Sequence, residues 1–249
     1  MQLYILGSGT CVPNNNRGSS GYLLIMEESK VLFDCGNGIT WKLEKLGVDY
    51  LDIDHIFISH FHPDHTSDLI PFLFATKYPY KHKREKKLTV WGPIGFNDFF
   101  NSLKITFNNW INPAHLEIKE IPVESAISFK EFGLKTIKTL HTHNSLAYKV
   151  ETNGKTVVYT GDTDYFPGLE SFANEADLLI IECSLPDEEK AEGHLTPSEV
   201  IEIANNSNAK KVLLTHLYPV WDHMNIEDIF NNKVSSEVIV GKDLLRINI

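Results

Sequence analysis

Three histidines and an aspartate stand within six positions of this 249-residue chain: His60, His62, Asp64 and His65. They lie in the run His-Ile-Phe-Ile-Ser-His-Phe-His-Pro-Asp-His-Thr-Ser-Asp from 55 to 68. Borderline divalent metals take imidazole nitrogen and carboxylate oxygen, and a turn after a strand aims several such groups at one point. His60 and His62 are two apart, so in extended backbone they share a face. Asp64 and His65 follow the turn at Pro63 and can serve a second metal. A merely polar turn is the bland account, but a chance HxHxDH arises about once in a thousand chains of this composition.

Further ligands of such a site belong in turns just past strand ends. His141-Thr142-His143 follows the run Leu-Lys-Thr-Ile-Lys-Thr-Leu, Gly161-Asp162-Thr163 follows Thr-Val-Val-Tyr-Thr, and His216 follows Lys-Val-Leu-Leu-Thr. Singly each is weak, since a lone strand-end histidine is more often polar surface and an aspartate beside glycine is usually a turn residue. Together with HxHxDH they supply two metals with seven protein ligands, one of them a carboxylate able to bridge.

The elements that position these residues are legible from periodicity. Short apolar, β-branched runs predict strands near 2–6, 21–26, 31–34, 55–59, 88–91, 116–121, 127–129, 134–140, 145–152, 155–160, 177–182, 211–215, 236–240 and 244–247. Helices are expected at 38–46, 66–75, 94–105, 167–173, 197–205 and 225–231. The fifth has the best start signal, because Thr196-Pro197-Ser198-Glu199 is a capping box with proline at the first helical position. No repeat and no Pro-, Gly- or Ser-rich linker divides the chain, so one domain over 1–249 is expected, a layered α+β or α/β sandwich.

Composition excludes several classes. Hydrophobic residues at 42% and charged residues at 22% are ordinary globular usage. No apolar run approaches the roughly 18 residues of a membrane span. The N-terminus reads as a strand entering a glycine turn rather than an export signal, and Cys11, Cys35 and Cys183 are too scattered for a disulfide framework, so a reducing cytoplasm is expected. A net charge of -10 disfavours a protein that tracks nucleic-acid backbone. One segment, 77–87, runs against this: Lys77, Lys81, Lys83, Arg84, Lys86 and Lys87 oppose Glu85 alone. A solvated loop is its default reading.

The order HxHxDH, His, Gly-Asp-Thr, His resembles the metallo-β-lactamase superfamily of metal-dependent hydrolases. Its ribonuclease Z and phosphodiesterase branch is the most similar in detail, through Leu6-Gly7-Ser8-Gly9-Thr10-Cys11-Val12-Pro13, Asp34-Cys35-Gly36-Asn37-Gly38, Trp91-Gly92-Pro93 and Gly193-His194-Leu195-Thr196. The resemblance implies a four-layer αββα sandwich of two similar halves, with the site at one edge. It implies His60, His62 and His141 on one metal, Asp64, His65 and His216 on the other, and Asp162 bridging. His143 competes with His141, and the resemblance favours His141 because it stands seven before Tyr148. Asp34 is either an acceptor behind a ligand imidazole or a strand-end turn residue.

The chemistry so implied is attack on phosphorus by a hydroxide bridging two divalent ions, with zinc expected and manganese or iron fitting nearly as well. His194 is the candidate donor to the leaving alkoxide, with Glu182 as its partner or as a surface strand-end residue, and Asp64 is expected to share proton handling with its metal role. Two departures stand out. Gly161 stands only 20 positions after His141, so the basic arm by which ordinary ribonuclease Z enzymes grip transfer RNA is absent, and Asn37 replaces the acidic residue usual in that branch. Transfer RNA is therefore doubtful as substrate. A small phosphodiester is expected instead, such as a cyclic nucleotide or nucleotide-derived ester, which the 77–87 loop would help to steer. The competing readings are hydrolysis of a carboxylic ester, thioester or lactam, and a non-catalytic metal-dependent regulatory module; members of this superfamily often form homodimers.

Overall fold

The computed structural model describes residues 1–249. The chain begins with strands β1 (Gln2–Gly7), β2 (Gly21–Ile25) and β3 (Lys30–Phe33), then helix α1 (Ile39–Lys45) and strand β4 (His55–Phe57). Helices α2 (Pro63–Thr66) and α3 (Leu69–Lys77), strand β5 (Leu88–Pro93), helix α4 (Phe96–Phe107) and strand β6 (Leu116–Ile121) follow. The second half comprises β7 (Ala126–Ser128), β8 (Gly133–Lys138), β9 (Leu146–Thr152), β10 (Lys155–Tyr159), α5 (Pro167–Phe172), β11 (Leu178–Glu182), α6 (Pro197–Ser207), β12 (Lys211–Thr215), α7 (Ile226–Phe230) and β13 (Glu237–Val240). The last strand, β14 (Arg246–Asn248), crosses back to the first half.

Two seven-stranded sheets result, in the orders β14-β1-β2-β3-β4-β5-β6 and β13-β12-β11-β10-β9-β8-β7. Each is antiparallel on one side and parallel on the other: β3 to β6 run parallel in the first, β10 to β13 in the second. Strands covered on both faces need apolar residues at consecutive positions. In β4 and its extension Phe57 faces the other sheet, packed with Phe33, Tyr148 and Tyr159, while Ile56 and Ile58 face the helices of the first half. In β11 Leu178 and Ile180 point inward and Leu179 and Ile181 pack under the helical layer of the second half. Three core clusters therefore separate four layers, the αββα sandwich expected.

Two local differences have clear causes. The helix expected at 66–75 is split, because Pro63 starts a turn early as first helical residue and Pro71 has no N–H to bond the Ser67 carbonyl, so a second helix begins with Pro71 in its first turn. Between β9 and β10 the chain turns on Asn153 and Gly154, with φ 49° and 72°, the two-residue hairpin that needs positive φ at both positions. No arm is inserted there. No helix is long and apolar enough to cross a membrane.

Candidate metal centre

Every residue singled out as a metal ligand lies at the edge where parallel strands of both sheets finish. His60, His62, Asp64 and His65 follow β4, His141 follows β8, Asp162 follows β10 and His216 follows β12. Strand ends there turn sharply: Asp34, Gly161 and His216 have φ of 57°, 58° and 54°. A Cβ on Gly161 would sit 2.8 Å from that of Ser59, so only glycine lets Asp162 approach the β4 loop.

Asp162 is the centre of the cluster. Its Oδ2 lies 3.3 Å from Nε2 of both His65 and His216, 3.6 Å from that of His141 and 3.7 Å from that of His60. Asp64 Oδ2 lies 3.5 Å from His216 Nε2, and His62 Nδ1 is 3.1 Å from His141 Nε2. Two donor sets emerge, His60 with His62, His141 and Asp162, and Asp64 with His65 and His216; within each set the ligand atoms lie within 4.8 Å of one another. His143 is exposed and belongs to neither.

The donor sets fit divalent cations on the structure's own terms. Nε2 of His60, His65 and His216 is buried without a hydrogen-bond partner, which is costly unless the lone pairs meet a cation. The opposite nitrogens are occupied: Nδ1 of His65 donates to Asp34 Oδ2 at 2.7 Å and Nδ1 of His141 to the Gly193 carbonyl at 2.9 Å, while Nδ1 of His216 and His60 pair with the hydroxyls of Ser184 and Ser59 at 2.9 and 3.0 Å. Such partners orient ligand imidazoles and raise their basicity. Burial alone would raise the Asp162 carboxyl, yet His216, His65 and His60 hold it well below the usual range. Burial, reinforced by His65, pushes His60 well below an ordinary histidine.

Asp34 fills both roles left open for it. It turns the chain in the left-handed region, and it accepts from His65, from the hydroxyls of Ser59 and Tyr159 and from the Ser59 amide. Glu182 is no surface residue: it is 1% exposed and accepts from the amides of Thr163 and Leu195, from Ser184 Oγ and from His194 Nδ1. Burial pulls the His194 pKa down, but the hydrogen bond and charge of Glu182, helped by Asp162, push it up to about 9. A ligand-capable atom of His194 lies within 4.8 Å of those of Asp162 and His216. Sequence reasoning missed Ser59 and Ser184, whose only signals are a place next to His60 and one two residues past Glu182.

A polar cavity of about 440 Å³ opens beside Asp64, walled by Asn14, Asn15, Arg17, Asn37 and Ser67. Arg17 and Asn14 pair with Asp222, which pins the loop they stand on to the turn after His216. The basic loop 77–87 is elsewhere. It enters β5, which runs parallel to β4, so it lies at the strand-starting end of the sheet, opposite the metal motif. Arg84 is buried there and donates to the carbonyls of Leu51, Ile53, Lys86 and Lys87, while Lys86 and Lys87 pair with Asp54 and Glu117. The steering role expected for this loop is not supported by that placement.

Comparison with known proteins agrees with this architecture. The chain is 29% identical over 245 residues to the probable metallo-hydrolase YhfI of Bacillus subtilis, covering 97% of each chain. The crystal structure of that protein superposes with a TM-score of 0.88 at 27% identity, covering 99% of this chain and 98% of the other. A ribonuclease Z of Methanosarcina mazei is 26% identical, covering 100% of this chain and 98% of the relative; the alignment runs over 306 positions against 249 residues here, so the relative carries segments without counterpart. The short form of human tRNase Z superposes with a TM-score of 0.81 at 25% identity, covering 100% of this chain and 99% of the other. These likenesses and the paired donor sets describe a metal-dependent hydrolase of the metallo-β-lactamase fold. Within that fold, the family model described as anti-Pycsar protein Apyc1 matches residues 1–238, and the chain belongs to that family.

Proposed function

We propose that the protein is a binuclear phosphodiesterase acting on a small nucleotide-like or RNA-derived phosphodiester, folded as one domain over residues 1–249. The observation that carries this reading is the His194–Glu182 pair beside Asp162 and His216. Expelling an alkoxide from phosphorus requires a proton at the leaving oxygen, and an imidazolium held by a buried carboxylate supplies it. In this reading His60, His62 and His141 hold one cation, Asp64, His65 and His216 the other, and Asp162 bridges. Divalent cations held by these residues would lower the pKa of a water and offset the charge developing on a phosphoryl oxygen. Zinc suits these imidazoles, and manganese or iron competes for the same donors. Asp64, on the rim of the polar cavity, also handles the proton of the attacking water. That cavity receives the nucleoside portion, with Asn15 and Asn37 on its wall to meet polar edges.

The name ribonuclease Z given to several relatives supports a phosphodiester as the bond cleaved. Transfer RNA remains a doubtful substrate, because β9 and β10 are joined by two residues rather than an arm. Three free cysteines accord with a reducing cytoplasm. Exposed Trp41 on α1, with Phe74 and Tyr78 at α3, leaves aromatic surface that a homodimer would cover, which sedimentation tests.

Zinc- or manganese-loaded protein should hydrolyse both bis(p-nitrophenyl) phosphate and a cyclic nucleotide, and His62→Ala should abolish both. His194→Ala should lose the cyclic nucleotide far more than the nitrophenyl diester, because nitrophenolate departs without a proton. Turnover confined to a carboxylic ester, and surviving in His194→Ala, would refute the proposal and place the protein among acyl hydrolases.

A further inference from the structure

The loop that precedes α6 brings two groups to the site: the Gly193 carbonyl, which receives the Nδ1 proton of His141, and the His194 imidazole on Glu182. Their approach is close, since a Cβ on Gly193 would stand 2.9 Å from His141 Nδ1. The loop itself hangs on one ammonium. Lys190 Nζ lies 2.7 Å from Asp164 Oδ1, 2.7 Å from each carboxylate oxygen of Glu199 and 2.6 Å from the His194 carbonyl. Three N–H groups are thereby fully engaged.

Each anchor reaches further. The other oxygen of Asp164 accepts the Gly193 amide at 3.0 Å, and its backbone N–H donates at 2.7 Å to Leu140, the residue before His141. Glu199 accepts the Thr196 amide at 2.9 Å and closes the capping box of α6. We propose that Lys190 is a positioning residue for both halves of the site: it seats the loop so that Gly193 orients His141 in the metal cluster while His194 meets Glu182. The kinetic consequence rests on the phosphodiesterase reading; the consequence for the metal does not.

An ordinary surface ion pair would move stability alone, and little of it. Lys190→Met keeps the length of the side chain and removes the charge. In zinc-loaded protein titrated against a chelator, it should bind one of its two equivalents about ten- to a hundredfold more weakly, the usual cost of losing the support behind a ligand. Turnover of a cyclic nucleotide should show kcat down by a similar factor at nearly constant KM, and Lys190→Arg, which can still span Asp164 and Glu199, should recover most of both. Wild-type zinc affinity and kcat in Lys190→Met, with or without a lower melting temperature, would overturn the assignment. If the wild type cleaves no phosphodiester, the chelator titration still decides the role of Lys190 at the metal.

Discussion

Replacing Glu182 by Gln removes the charge beside His194 at nearly constant shape. In the native site the His194 imidazole, its side chain 15% exposed, is raised from 6.5 to about 9 against the opposing effect of burial, a difference of about 3 kcal/mol in favour of the imidazolium. Without the carboxylate burial dominates, and the imidazole falls to its ordinary value or lower. At pH 8 the charged fraction then drops from about nine-tenths to a few hundredths, so a step that needs this acid slows about thirtyfold; at pH 6 it slows by only about a quarter. Cations bound beside His194 would lower the pKa in both proteins, so the measured quantity is the displacement between the two alkaline limbs rather than their position. Stability moves with the same group. Because its pKa is raised on folding, the His194 contribution is complete below about 6.5 and is lost as the pH climbs through about 9, and the variant forfeits it at neutral pH. A second cost is geometric: Thr163 N–H donates to one oxygen of Glu182 at 2.6 Å and Leu195 N–H to the other at 3.1 Å. A Gln side chain must turn its amide NH2 toward one of these donors, which costs about 1–3 kcal/mol more. The assay is hydrolysis of a cyclic nucleotide from pH 5.5 to 10, with melting temperature and metal content recorded for each protein. A folded, metal-replete Glu182→Gln enzyme whose alkaline limb coincides with that of the wild type would show that Glu182 does not hold the proton on His194.

Two further outcomes separate neighbouring residues of the same type. His141→Ala should lose one equivalent of metal and at least a hundredfold in kcat by removing a ligand, whereas exposed His143→Ala should match the wild type in both; metal analysis beside turnover distinguishes them. Arg84→Ala should destabilise the fold by about 2–4 kcal/mol in chemical denaturation, since its guanidinium serves four carbonyls, with KM unchanged. Exposed Lys83→Ala should alter neither, and a rise of KM in either variant would return the 77–87 loop to the substrate path.

Much of the site was legible because its signals are local. The imidazoles and carboxylate of residues 60–65 need only one strand and one proline turn to converge, and such spacing survives in the linear chain. The strands were legible for the same reason: apolar positions such as Ile56-Phe57-Ile58 report burial on both faces of a sheet, and Asn153-Gly154 names its own turn. Pairs two residues apart were not separable this way. His141 and His143 leave the same strand end, and only the Asp164 and Gly193 segments packed against that end turn one into the cluster and leave the other in solvent.

What a residue meets across the two sheets belongs to tertiary structure. Glu182 has the sequence context of any strand-terminal glutamate; its burial, and with it the charge on His194, comes from the loops of Thr163 and Leu195 closing over it. The basic run 77–87 is conspicuous in sequence, but parallel pairing of β4 with β5 carries it to the end of the sheet away from the His60–His65 motif. Lys190, inconspicuous in sequence, acquires its four acceptors only when Asp164, Glu199 and the His194 loop meet. Residue type and short spacing determined which chemistry this protein can do, because ligand preference and turn geometry act over a few residues. Packing of segments separated in the chain decided which copies of each residue take part, because burial and hydrogen-bond partners exist only in the folded chain.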